Sequence, residues 1–368
     1  GIEDLMLLYI ANGVTTIRGM LGAPYQLELR GRLARGEIIG PTLYVGAPSL
    51  NGNSAPTPRA ADSLVRAHKA AGYDFLKIHP GLTRESYDAM VRASREVGIT
   101  WAGHVPDAVG VRHAIASRQS TIDHVDGYLE AAAGIGTNAL AQQGPAFVDF
   151  VAKVDTTQFR ELARLTREAG VWNVPTAFLW ETFFSPTPAE SLLAMPELKY
   201  VSPQTRAAWG NAKRQRLTMM QEQGVPAASQ LRYLALRRQM LRTLGEAGAP
   251  LLMGTDSPQV FNVPGFALHR ELVVAREAGL TPWQVLESGT RNVARYASEV
   301  LKLDGRFGTV APGQRADLVL LEGDPLRDLA NLQRRAGVMA GGRWLPWSEL
   351  EPRLAALAAR HRDRPASQ

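Results

Sequence analysis

With seven histidines and no cysteine, the chain can offer imidazole, carboxylate and amine groups for chemistry but no thiolate. Two histidines end short apolar runs in close succession. Ile99-Thr-Trp-Ala-Gly103 is strand-like, rich in β-branched and aromatic residues, and stops at His104, where Pro106 and Asp107 open a turn. Thr121-Ile-Asp-His124 repeats the pattern, and a loop opens at Asp126-Gly127. Two further runs end in reactive groups: Phe75-Leu-Lys77-Ile78 embeds an amine, and Pro250-Leu-Leu-Met-Gly-Thr-Asp256 ends in a carboxylate. Imidazole and carboxylate bind metal ions and carry protons. A buried ammonium is desolvated, which favours the free amine. Such an amine adds carbon dioxide to give an anionic carbamate, which can bridge two metal ions. The alternative for Lys77 is a strand-end lysine whose head reaches solvent.

Groups at the C-terminal ends of successive strands must be held there by a parallel sheet with helical crossovers. The periodicity predicts seven strands alternating with helices, ending near Arg18, Gly46, Ile78, His104, His124, Thr176 and Asp256. Residues 1–12 read as a helix, 13–19 as the first strand, and the polar loop from Asn51 to Pro58 as a segment facing the site. Pro175 interrupts the sixth candidate strand, Val171–Ala177. Residues 177–250 form an Arg-, Gln- and Met-rich helical insertion, read either as a lid or as a surface helical pair. After a helix at 281–296 the period changes to alternation over 308–321 and 337–344. The expected domains are therefore a barrel over 1–300, a small β unit over 301–347 and a helical tail over 348–368 that frays into Arg-Asp-Arg-Pro-Ala-Ser-Gln.

A chain of 368 residues with 45% hydrophobic content is long enough for one α/β barrel with a small appendage. No run approaches the roughly 20 apolar residues of a membrane span. The net charge of +6, from 41 Lys and Arg against 35 Asp and Glu, is spread along apparent helices, and no aromatic-basic module accompanies it. Nucleic acid and membrane are therefore excluded as expected partners. A small-molecule substrate is expected, and a homo-oligomer is compatible.

The ordered segments GVTTIRGM, GYDFLKIHPGL, GITWAGHVPDAVGVRHAI, STIDHVDGY, LLMGTDSP, LTPWQVLESGTRNVARY and GRFGTVAPGQRADLVLLEGDPL resemble the metal-dependent amidohydrolase superfamily, in its imidazolonepropionase-like and dipeptidase-like branch. The resemblance implies a (β/α)8 TIM barrel with a small C-terminal β-sandwich unit. It implies that Lys77 is a carboxylated bridging ligand, that His104 and His124 bind one divalent ion, and that Asp256 binds the other and shuttles protons. Zinc is the default ion for such ligands, two per site. The chain departs from the pattern in one respect: it contains no His-x-His, the pair carried by the family's first strand. Since the C-terminal β unit also lacks the N-terminal strands it pairs with in the family, an upstream segment bearing His-x-His is expected.

Of the remaining histidines, His79 could back the ligands and His269 could touch substrate. His68 and His113 read as helix-surface residues, and His361 belongs to the tail. Tyr128, Trp180 and Glu181, which follow strand ends, and Asn53 in the polar loop are candidate substrate contacts. The leading expectation is hydrolysis of the amide bond of a dipeptide, N-acyl amino acid or cyclic amide by a metal-bridging hydroxide. The alternatives are a mononuclear deaminase-type member with an unmodified lysine and a catalytically degenerate barrel with a binding or structural role.

Overall fold

The structure, a computed structural model, describes residues 1–136 and 143–362; the fraying end expected at 363–368 lies outside the described residues. Six short strands run parallel in chain order: β1 (Thr16–Gly19), β2 (Thr42–Val45), β3 (Phe75–Ile78), β4 (Thr100–Gly103), β5 (Thr121–Asp123) and β6 (Trp172–Val174). Bridges at Gly46–Phe75 and Leu50–Ile78 join β2 to β3. The seventh expected strand is reduced to one bridge, Asn173–Leu251, and residues 252–256 continue as coil. This is the α/β architecture of a TIM barrel. Among the described residues no strand precedes β1.

The crossover helices form where the sequence starts and stops them. The helix Arg84–Val97 opens at Thr83, whose side chain accepts from the Ser86 N–H, and ends at Gly98 in the left-handed conformation that closes helices without a Cβ penalty. Its buried face carries Tyr87, Met90 and Val91 into a continuous core with Leu76, Ile78, Trp101 and Ile122. Tyr87 is tied down in that core by a 3.0 Å hydrogen bond to Gln119.

The insertion at 177–250 does not behave as one unit. Helix Ala227–Glu246 buries Tyr233, Leu234, Leu236, Met240, Leu241 and Leu244 and is a core crossover element, neither lid nor surface pair. Helix Pro203–Glu222 buries only Gly210, Lys213 and Met220 and lies at the surface. Amphipathic spacing alone does not separate these two cases, because both helices are rich in long basic side chains that cover apolar surface.

The C-terminal unit is a three-stranded antiparallel sheet of β7 (Leu318–Leu321), β8 (Arg335–Ala340) and β9 (Arg343–Pro346). Residues 308–317, expected as the start of a strand, are turns and coil. Among the described residues the sheet's inner face is covered by helices: Val338 and Leu345 pack on Ile10 of helix Ile2–Ala11 and on Leu350 of helix Trp347–Arg362.

At one position the barrel wall tolerates no side chain. Gly103 ends β4 at φ +126°, and a Cβ there would lie 2.5 Å from the Ile78 carbonyl oxygen and 3.0 Å from the Lys77 side chain. This close approach delivers His104 to the rim. Gly103→Ala combines a backbone clash with a strained φ and is expected to cost about 2–4 kcal/mol. Urea unfolding reads this, and a loss below about 0.5 kcal/mol would refute the packing argument.

Candidate active site

Three imidazoles cluster at the C-terminal rim of β3, β4 and β5. The rings of His79 and His104 lie 5.0 Å apart between centroids, and those of His104 and His124 lie 4.6 Å apart. His104 Nδ1 is 2.7 Å from Asp126 Oδ2. A carboxylate can only accept, so Nδ1 carries a proton and Nε2 is the nitrogen left for a metal ion in the neutral ring. His124 Nδ1 is 2.6 Å from Thr176 Oγ1, and that hydroxyl donates to the Pro175 carbonyl at 2.8 Å. Thr176 therefore accepts from Nδ1–H, and His124 also presents a bare Nε2. At His79 the anchor is a serine hydroxyl: Asn51 Nδ2 donates to Ser49 Oγ at 2.9 Å, and Ser49 Oγ lies 2.8 Å from His79 Nδ1. With one proton and one further lone pair, Ser49 can meet Nδ1 as donor or as acceptor.

The backbone is bent hard to achieve this. His124, Val125, Thr176 and Asp256 are non-glycine residues with φ of +62°, +55°, +44° and +57°. Conformations of this kind cost of order 1–3 kcal/mol each and cluster at functional sites. All four follow strand ends on one rim.

Inside the barrel, below the histidines, Lys77 Nζ lies 3.1 Å from Asp123 Oδ2, both side chains 4% exposed. The solvent-reaching alternative for Lys77 is thereby overturned. Asp123 also faces Arg18 at 3.8 Å and accepts from Thr121 Oγ1 at 2.8 Å. Burial would push its carboxyl up, but the Lys77 ammonium and then Arg18 hold it well below the usual carboxylate range. Arg18 continues the network to the Tyr296 hydroxyl at 3.2 Å.

The other expected residues divide. Asp256 sits half-buried, accepts a long 3.4 Å hydrogen bond from Gln259, and its charge reaches His79, His124 and Tyr9. Trp180 is at the site: its ring lies 6.2 Å from that of His124, with the Arg237 guanidinium 4.0 Å above it. Glu181 points to the neighbouring helix, bonded to Arg238 at 2.6 Å. Tyr128 is fully buried, with its hydroxyl 2.8 Å from Thr166 Oγ1 and its pKa pushed up to about 12 by burial. It belongs to the core, because helix Tyr128–Ala133 starts directly after the loop and turns its first residue inward. His269 is also placed elsewhere: Nε2 is 3.1 Å from Asn12 Oδ1 and 3.3 Å from Arg335 Nη1, next to the C-terminal sheet. His113 is half-buried, with Nε2 2.6 Å from Asp88. Asn53 lines an open cleft of about 460 Å³ together with Ser49, Asn51, His79 and Gly81.

Sequence reasoning missed Asp126, Asp123, Thr176, Ser49 and Arg237. Asp126 had a local signal, two residues after His124. Arg237 had none: it arrives from a helix more than a hundred residues further on and donates to the His124 carbonyl. For a metal ion, the two anchored rings with bare Nε2 atoms fit a pair of ligands, since hydrogen-bonding the second nitrogen is how ligating histidines are oriented. Among the described residues, however, no three His, Cys, Asp or Glu side chains converge to hold an ion.

The amidohydrolase family model matches residues 6–345, and the chain belongs to the amidohydrolase family, hydrolases of carbon–nitrogen bonds. No curated protein matches the sequence. Among solved structures, it is similar to a bottromycin amidohydrolase with a TM-score of 0.77 and 24% identity, over 97% of this chain and 77% of that one. A Xaa-Pro dipeptidase with bound methionine aligns with a TM-score of 0.61 and 18% identity, over 94% and 78%. A molinate hydrolase aligns with a TM-score of 0.65 and 17% identity, over 100% and 79%. At these identities the structural likeness bears on fold. No described helix is long and apolar enough to cross a membrane.

Two predictions concern stability. Asp123→Asn leaves the buried Lys77 and the partly buried Arg18 without a counter-charge and is expected to cost about 3–5 kcal/mol by urea unfolding, and an unaffected midpoint would contradict the ion pair. Burial, and then Arg335, push His269 down to about 4 from 6.5. The unfolded state then binds more protons between these values, so stability is full above pH 6.5 and falls as pH drops towards 4. His269→Gln is expected to remove roughly 3 kcal/mol of this acid sensitivity; identical pH slopes for both proteins would disprove it.

Proposed function

We propose that this chain hydrolyses the amide bond of a small substrate, a dipeptide, N-acyl amino acid or cyclic amide, with a divalent metal ion held by His104 and His124. The supporting observation is the pair of anchored Nδ1 atoms on two imidazoles whose centroids lie 4.6 Å apart. His104 and His124 would hold a divalent ion, zinc by the chemistry of its ligands, which when bound would supply Lewis-acid activation of a carbonyl and of water. Asp256 takes the proton released by the attacking water and delivers it to the leaving nitrogen. His79, held through Ser49 and Asn51, hydrogen-bonds the substrate in the cleft beside Asn53. Trp180, backed by Arg237, forms the apolar wall on the His124 side.

The ion pair of Lys77 with Asp123 favours a second reading within the same class, in which the lysine remains an ammonium and a single ion is bound. A carbamate at the same position would set an anion against Asp123. The metal count per chain distinguishes the two.

Metal content by plasma mass spectrometry is expected to show about one ion per chain for the ammonium form and about two for the carbamate form. His104→Ala and His124→Ala should each abolish tight binding. Metal-loaded protein on a panel of dipeptides and N-acyl amino acids should lose at least 100-fold in kcat/KM in either variant. Absence of bound metal, or turnover that survives chelation and both substitutions, would refute the reading.

A further inference from the structure

Glu271 lies on helix Phe266–Glu277, has no solvent exposure and is remote in sequence from every residue of the site. Its two carboxylate oxygens each accept one backbone N–H: Oε1 from Ala177 and Oε2 from Phe178, both at 2.8 Å. These are the first two amides of helix Ala177–Phe184. A threonine directly before a helix ordinarily caps it with its own hydroxyl. Thr176 occupies that position and makes no such bond; its hydroxyl donates to Pro175 and accepts from His124 Nδ1.

We infer that Glu271 is a positioning residue for His124: by gripping the first two amides of helix 177–184, it holds the left-handed Thr176 turn from which the hydroxyl reaches the imidazole. The division of labour follows from geometry: an N-cap side chain reaches its own helix from an extended backbone, whereas Thr176 is left-handed and spends its hydroxyl on Pro175 and His124, so the two amides take Glu271 instead. Thr176 also holds φ +44° and ψ +44°, a conformation a β-branched residue keeps only when its surroundings enforce it. Glu271 grips the chain at the two residues immediately after that strained turn. A carboxylate buried at a helix N-terminus suits the helix dipole, and burial pushes the Glu271 carboxyl up to about 7 even though the Phe178 and Ala177 amides pull it down.

The catalytic consequence rests on the role proposed above for His124, whereas the structural link does not, so the two are tested separately. In protein with ¹⁵N-labelled histidine, wild type should show His124 with its proton on Nδ1. Glu271→Gln keeps the shape but turns an NH2 towards an amide, so the grip on the Thr176 turn is lost and the His124 Nδ1 resonance should shift or exchange-broaden. Thr176→Val, which leaves the Glu271 cap intact, should produce the same His124 change without moving the Ala177 and Phe178 amide resonances. In the double variant the His124 change should not exceed that of Thr176→Val alone. On any substrate found to turn over, Glu271→Gln should lower kcat at least tenfold with KM within twofold. A His124 spectrum unaltered in folded Glu271→Gln overturns the inference. Should Glu271→Gln fail to fold, an unaltered spectrum in Thr176→Val overturns it equally. Loss of the His124 signature without turnover in any protein would leave the positioning link standing while refuting the hydrolase reading.

Discussion

Everything at the rim stands on a carboxylate buried in the barrel. Asp123, on β5, holds Lys77 from β3 and Arg18 from β1, three strands bound through one anion inside a space where water is scarce. An ion pair so placed gains little over an apolar filling, but losing one partner strands the others. Its value lies in fixing register: the residue after Asp123 is His124, and the residue after Lys77 is Ile78, which leads into His79. The arrangement therefore sets the height at which two of the three imidazoles leave the sheet. Gly103 sets the third by letting β4 press against Ile78.

From that base the chain must turn sharply, and it does so through residues poorly suited to the turn. His124, Val125, Thr176 and Asp256 all sit at positive φ, where glycine would be cheaper. Three of the four put a side chain to use at or beside the histidine cluster, so the side chain is retained and the strain is absorbed by neighbouring bonds. For His124 these are the Thr176 hydroxyl and the Arg237 guanidinium on its own carbonyl. For Thr176 it is the cap at Ala177 and Phe178. Stability is traded for orientation here, in keeping with the general tendency of functional sites to hold strained backbone.

The order of strands, the parallel sheet and the histidines at successive strand ends were legible because each depends on local pattern: a short β-branched run, a polar stop, an amphipathic helix. The His104 and His124 pairing was legible for the same reason. The partners that give those rings their proton states were mostly not. Thr176 and Arg237 approach from sequence distances of 52 and 113 residues, and nothing in their own neighbourhoods marks them. Tyr128 and His269 went astray in the opposite way. Following a strand end or Asp256 is a positional argument, and burial decided differently: a tyrosine opening a helix turned into the core, and a histidine on a crossover helix faced Asn12 and Arg335.

Lys77 shows where local pattern reaches its limit. A lysine in an apolar strand is either a snorkelling side chain, a masked ion pair or a modified ligand, and the strand reads the same in all three. Only the residue across the barrel distinguishes them. Asp123 was visible all along as the penultimate residue of Thr121-Ile-Asp-His124, yet alternation places it on the face opposite to its neighbours, and which face looks into a barrel is a property of closure rather than of any one strand. Once β3 and β5 flank β4 in a curved sheet, Lys77 and Asp123 both point inward and meet. The same curvature carries His104 between His79 and His124, so the clustered imidazoles and the ion pair beneath them are two levels of one geometric constraint.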